Sequence, residues 1–223
     1  AEIDDELADK YLEGEEITEV EIRAGLIKGI REATLVPVLA GSPPNSIGVT
    51  ELLDVIADYM PSPADVGNVS VTAVGTDGES EVACDSDGPL AALVFKTAAD
   101  PFVGRLSYFR VYSGTLGSDS QYWNANKSES ERVGQVFVVN GKSQDSLDSL
   151  TAGDIGALSR LNSVVTGDTI SSRENPIVIE GLNFPIPVHH MAVSPKTKAD
   201  VDKMSTALNR LADEDPTMRV RQD

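Results

Sequence analysis

The chain has 223 residues, 40% of them hydrophobic, and a formal net charge of −18. That is enough apolar surface for one or two packed domains, and no run is long and apolar enough to read as a membrane span or a signal peptide. A single cysteine, Cys84, excludes an internal disulfide framework and fits a reducing cytoplasm.

Ile3, Leu7 and Tyr11 recur at four-residue steps, which predicts an opening helix interrupted at Gly14. Thr18 followed by Glu21 is a capping-box signature for a second helix, with Ile17 placed to staple onto Ile22 and an apolar stripe of Ile22, Leu26 and Ile30. Gly25 and Gly29 should weaken that helix by about 1 kcal/mol each relative to Ala. Leu35 to Ala40 reads as a buried strand, followed by Gly41-Ser42-Pro43-Pro44 and a helix from Glu51 to Tyr59. A strand that ends in a small-residue loop and feeds a helix belongs to an α/β nucleotide-binding sheet. Pro61 to Gly88, dense in Pro, Gly, Ser and Asp, reads as a linker with a short strand at Val69 to Val74.

Strand-like runs follow at Leu90 to Thr97, Leu106 to Tyr112, Gln121 to Asn124, Arg132 to Val139, Ile155 to Leu161 and Ile177 to Ile179, separated by turn residues. Short strands punctuated in this way predict a closed or nearly closed β-barrel, which removes exposed edges. Phe95, Phe109, Trp123 and Phe137 are expected in its core. The first two runs form an antiparallel hairpin whose joint, Asp100-Pro101-Phe102-Val103-Gly104-Arg105, combines a fixed φ at proline with the positive φ that glycine permits. Phe102 and Arg105 there offer one stacking group and one phosphate-seeking group. The tail reads β-α-β, with a strand at Val188 to Val193, a helix capped by Thr197 that lines up Val201, Met204, Leu208 and Leu211, and a strand from Met218 to Val220. His189 and His190 alternate faces on that strand and cannot share a metal, so neither a metal site nor a catalytic residue is expected.

The charge argues against nucleic acid at first sight, because binding phosphates needs Lys and Arg. Residues 1 to 93 hold 4 basic and 20 acidic side chains, whereas residues 94 to 223 hold 14 basic and 16 acidic ones. The acidity therefore precedes the barrel, and the barrel's cations are free to cluster.

The segment PLAALVFKTAADPFVGRLSYFRVYSG, Pro89 to Gly114, resembles the bacterial elongation factor G family of translational GTPases. Further matches follow in that family's order: Lys10 to Leu26, Glu51 to Pro63, AGDIGA at Ala152 to Ala157, TGDTI at Thr166 to Ile170, and Val193 to Val220. The resemblance implies a mixed multidomain fragment. Residues 1–64 would be the C-terminal α/β part of a GTPase domain, 65–88 a linker, 89–187 the all-β translation-factor barrel, and 188–223 the β-α-β start of a ferredoxin-like α+β domain. It also implies a cytoplasmic, monomeric parent that uses GTP and Mg and docks on small-subunit rRNA of the ribosome, with Lys96, Phe102, Gly104, Arg105 and Arg110 as contact candidates. For each of these residues an ordinary surface role stays open.

Gly41 and Ser42 match the family's last guanine-binding loop, but Pro43 stands where Ala is usual and supplies no N–H. Neither a G-x-x-x-x-G-K-[ST] loop nor an Asn-Lys-x-Asp motif occurs, so these residues alone are expected to have no GTPase activity and to bind no cofactor. Val136 to Gln144 departs from the main family pattern and looks more like a divergent paralogue, with a rescue, protection or recycling role as an alternative. A reading of a different class is a non-enzymatic acidic β-barrel binding module.

Overall fold

The computed structural model describes residues 4–75, 78–100 and 104–221. The chain divides into two compact units, Ala1–Val66 and Gly67–Asp223.

The first unit is helical, with α1 at Asp5–Glu13, α2 at Glu19–Arg31 and α3 at Val49–Tyr59. Local chemistry sets these helices. Asp4 accepts hydrogen bonds from the N–H groups of Glu6 and Leu7, and Thr18 and Glu21 form the expected reciprocal capping box at the start of α2. Ion pairs from Lys10 to Glu21 and, at 3.1 Å, from Lys28 to Asp4 join late α1 to early α2 and the reverse, so the two helices run antiparallel. Ile3 lies outside the described residues.

Residues 35–40 are not a strand. They form no ladder, and Val36 and Val38 are 78% and 92% exposed. A parallel strand takes its hydrogen bonds from neighbours delivered by crossovers, and no other strand exists among the described residues of this unit. The α/β layer expected at 1–64 is therefore absent here, and only its helices form.

Among its described residues the second unit contains thirteen strands and one α-helix. In chain order the strands are β1 Val69–Ala73, β2 Glu79–Val82, β3 Ala91–Asp100, β4 Gly104–Ser113, β5 Thr115–Gly117, β6 Gln121–Asn124 and β7 Glu129–Arg132. Then come β8 Val136–Asn140, β9 Ser143–Leu147, β10 Ser149–Thr151, β11 Ile155–Ser159, β12 Thr169–Ser171 and β13 Ile177–Ile179, followed by α4 Val201–Glu214. Eight strands make an antiparallel sheet in the order β7-β6-β12-β3-β4-β11-β8-β9. The step from β7 to β8 shows that this sheet is curled. A flat sheet would set them about 29 Å apart at the usual strand spacing, but the connection from Arg132 to Val136 reaches only about 14 Å when fully extended. The strand expected from Arg132 to Val139 breaks at Val133-Gly134-Gln135 for this reason, since those residues carry the chain across the seam.

The barrel interior is aliphatic, with Val94, Val111, Leu116, Val133, Val136, Leu158 and Ile170 all fully buried around Phe109. Phe95, Trp123 and Phe137 are only half-buried, which corrects their assignment to the core. Phe95 falls at a bulge between Val94 and Lys96, and Trp123 alternates with Tyr122, which is the residue that packs inward.

Residues 65–88 contain more than a linker. β1 pairs with both β2 and β13, and Val71, Val82, Ile177 and Ile179 pack with Ala91 and Leu93 in a second core cluster. The tail forms its helix but neither flanking strand. Val188 and Met191 are 94% and 77% exposed, and nothing among the described residues pairs with 188–193 or 218–220. A lone strand leaves its backbone groups to water, so the helix forms and the ladder does not. Thr197 makes no backbone cap; its hydroxyl binds Asp200 at 2.6 Å. α4 packs on β3, where the Ala99 N–H donates to the Glu214 carboxylate.

Candidate nucleic-acid interface

The β3–β4 hairpin carries most of the sequence-derived candidates and sorts them by face. Along β4, Ser107, Phe109, Val111 and Ser113 are buried, whereas Tyr108, Arg110 and Tyr112 are half-buried and share the outward face. Lys96 on β3 is exposed, lies opposite Tyr108 in the register, and places its ammonium 5.9 Å from the Tyr108 ring centre. Arg110 stacks over Tyr112 at 5.1 Å, and its neighbour on β11, Ile155, is 54% exposed. Cations held over aromatic faces are pre-ordered groups with one wet side, suited to phosphate oxygens and to unstacked bases.

Tyr108 was not singled out from the sequence, although the alternation Tyr108-Arg110-Tyr112 within a strand was the signal for it. Tyr112 serves the fold as well, packing against the second core cluster. The Arg110 Nε is buried with no hydrogen-bond partner among the described residues, so the stacked guanidinium is held mainly by the ring and by its stem.

Arg105 lies on the other face. Its register places it with Ser107 and Phe109, and its Nη2 donates to the Val164 carbonyl at 2.6 Å. Its own carbonyl accepts from the Arg160 N–H at 3.2 Å. Half-buried and bonded to backbone, Arg105 is not on the surface that Lys96 and Arg110 share. Gly104 is exposed with φ +83°, the left-handed conformation expected of glycine at that joint. Phe102 lies outside the described residues. Beside the hairpin, Gln144 on β9 donates to Asp100 at 3.2 Å, so the segment that departs from the family pattern adjoins this joint.

The guanine-loop candidates give a different result. Ser42 N–H donates to Ile47 O at 2.9 Å, and Ile47 N–H returns a bond to Ser42 O at 3.2 Å. Asn45 and Ser46 donate to Ser42 O and Pro43 O, both at 3.0 Å, and Pro43 and Pro44 have no N–H. Every backbone donor from 42 to 47 is thus missing or already engaged. From Ser42 to Ile47 the loop closes on itself, and the Ser42 N–H is spent within it.

Among the described residues no cluster of three or more His, Cys, Asp or Glu side chains could hold a metal, and no helix is long and apolar enough to cross a membrane.

Residues 89–173 match the family model described as elongation factor G domain 2, and residues 184–223 match the model of elongation factor G domain III. The chain is also similar to a crystal structure of a protein from Thermus thermophilus, with 27% sequence identity and a TM-score of 0.73. That similarity covers 99% of this chain and 31% of the other one, so the chain spans about a third of the length of the protein it matches.

Proposed function

The chain belongs to the elongation factor G family, two of whose domains it matches in succession, and from that premise we propose that the whole protein is a cytoplasmic, monomeric translational GTPase. It would bind the ribosome and couple GTP hydrolysis to movement of tRNA and mRNA. GTP and Mg belong to that whole protein. In the loop at 42–47 the backbone N–H groups are absent or engaged in the loop's own bonds.

The role proposed for this chain is docking: the outward face of β3–β4 meets small-subunit rRNA. The observation that supports it most is the pair of stacked cations, Lys96 on Tyr108 and Arg110 on Tyr112, on one barrel face. A second reading, a ribosome-bound paralogue with a rescue, protection or recycling task, is favoured by the placement of the divergent 136–144 segment. It meets the hairpin through Gln144 and Asp100, where a changed sequence would alter the docking contact.

The test is binding of the 223-residue chain to small-subunit rRNA as a function of salt. Lys96→Ala should weaken binding at every sequence and lower the salt slope by about 1. Binding whose salt slope is unchanged in Lys96→Ala would defeat the docking face.

A further inference from the structure

We propose that Glu131 is a positioning residue for the β3–β4 hairpin, acting on Arg105 through the 162–165 strap and the Lys127–Asp168 pair. The consequence for docking rests on the reading above; the physical coupling does not.

Glu131, on β7, is fully buried, yet none of its hydrogen-bond partners among the described residues is a cation. Its carboxylate accepts from the N–H groups of Asn162 at 3.0 Å, Ser163 at 2.7 Å and Val164 at 3.2 Å. It also accepts from Asn162 Nδ2 at 3.2 Å and Ser163 Oγ at 2.9 Å. Five donors on one buried carboxylate hold the strap to β7 from the inside.

The carbonyls of the same strap face cations. The peptide joining Ser163 and Val164 gives its N–H to Glu131 and its C=O to Lys127 Nζ. The next peptide gives the Val165 N–H to Asp168 at 3.0 Å and the Val164 C=O to Arg105 Nη2 at 2.6 Å. Lys127 and Asp168 close the chain with an ion pair at 3.0 Å, and Asn124 donates to Asp168 at 2.9 Å. Two carboxylates and two cations therefore alternate, linked by two consecutive peptide dipoles. A carboxylate on the N–H side strengthens the carbonyl as an acceptor, so removing Glu131 loosens the bonds to Lys127 and Arg105 as well as its own.

The residues on either side of the strap are tied to the hairpin at three further points: Arg160 N–H to Arg105 O at 3.2 Å, Thr166 Oγ1 with Thr97 Oγ1 at 2.9 Å, and Gly167 N–H to Val94 O at 2.7 Å. Holding the strap fixes the register of both hairpin strands. Arg105 then works as an inward fastener of the hairpin, with Lys96 and Arg110 left as the outward cations.

The experiment follows the Arg105 Nε–H by NMR in the 223-residue chain. In Glu131→Gln its exchange with solvent should rise about tenfold or more, and in Ser163→Ala, which removes one donor, about fivefold. The exposed Arg132 is the control and should not change. Ser163→Ala decides the question if Glu131→Gln fails to fold. Unchanged exchange at Arg105 in a folded variant would overturn the coupling. In rRNA binding, both variants should lose affinity while keeping the wild-type salt slope, because Glu131 touches no phosphate. Wild-type affinity in a variant whose Arg105 has been freed would overturn the positioning role. If the unaltered chain does not bind rRNA, the docking reading fails while the Arg105 result stands.

Discussion

The two units of this chain place their apolar residues in opposite ways. Every buried hydrophobic side chain among the described residues lies in the second unit, whereas the only buried residue in the first is Gly29. Leu12, Val20, Val36, Val38 and Leu53 all stand more than half exposed. Among its described residues the first unit nevertheless forms three helices, two of them with side-chain caps. Helices satisfy their own backbone and need only a cap and a face, whereas strands exist only where partners meet them. The same rule explains why 35–40 and 188–193 stay unpaired, while β12, only three residues long, is buried between β3 and β6.

The two units should respond differently to side-chain truncation and to added bulk. Phe109→Ala removes the one fully buried aromatic among the barrel's described residues and should cost about 3–5 kcal/mol, measured by denaturant unfolding with Trp123 fluorescence. Glycine gives a matched pair across the two units. A Cβ on Gly156 would come within 2.2 Å of Leu150 Cδ1, 3.0 Å of Phe109 Cζ and 3.1 Å of the Phe137 carbonyl, so Gly156→Ala should cost about 1–3 kcal/mol through overpacking. On Gly25 the only close atom among the described residues is Leu7 Cδ1 at 2.8 Å, the end of a flexible side chain. The helix gains about 1 kcal/mol from Ala there, so Gly25→Ala should leave the helical unit as stable or more so. A destabilisation equal to that of Gly156→Ala would show that the first unit has a core after all.

Acid separates the units by a different physical route. Burial pushes the Glu131 carboxyl up, but the bonds from Asn162, Ser163 and Val164 outweigh it and leave the pKa below the usual value. Glu21 is pushed down to about 2, chiefly by its bond to Lys10 and then by Thr18. For a depressed carboxylate the stabilisation is complete above the unfolded pKa and disappears as pH falls through the folded one. Both contributions should therefore hold at neutral pH and fade below about pH 4.3. Raised salt distinguishes them. The half-exposed Lys10–Glu21 pair should weaken, while the buried Glu131 clamp should not. An acid transition of the barrel as salt-sensitive as that of the helices, followed by Trp123 fluorescence and circular dichroism at 222 nm, would contradict this.

What could be read in the residues follows the same division between local and non-local causes. The box at Thr18 and Glu21, the hairpin closing at Asp100 and Gly104, and most of the barrel's strand runs are local patterns that the structure reproduces, the run broken at the seam excepted. The α/β layer at 1–64 and the strands beside α4 depended on partners, and apolar runs cannot state whether partners arrive. At the site, Lys96 and Arg110 were candidates through the family resemblance, and the structure puts both on the outward face of the hairpin. The face of Arg105 required the register, because a single residue of offset sends a side chain to the opposite side of the sheet. Glu131 had no sequence signal, since nothing in Glu-Ser-Glu-Arg distinguishes a buried carboxylate from the exposed Glu129 two residues earlier.

Truncation of an exposed apolar side chain should matter least. Val38 is 92% exposed in a stretch with no ladder, so Val38→Ser removes almost no contact and should change stability by less than about 0.5 kcal/mol. A buried valine such as Val136 at the barrel seam, truncated to Ala, loses its packing and leaves a void; it should cost several times more. Both substitutions shorten an apolar side chain in a run of the same appearance, Leu35-Val36-Pro37-Val38-Leu39 in one case and Val136-Phe137-Val138-Val139 in the other. If the Val38 change destabilises as much as the Val136 change in the 223-residue chain, then 35–40 is covered in solution, and its exposure is not a property of the isolated sequence.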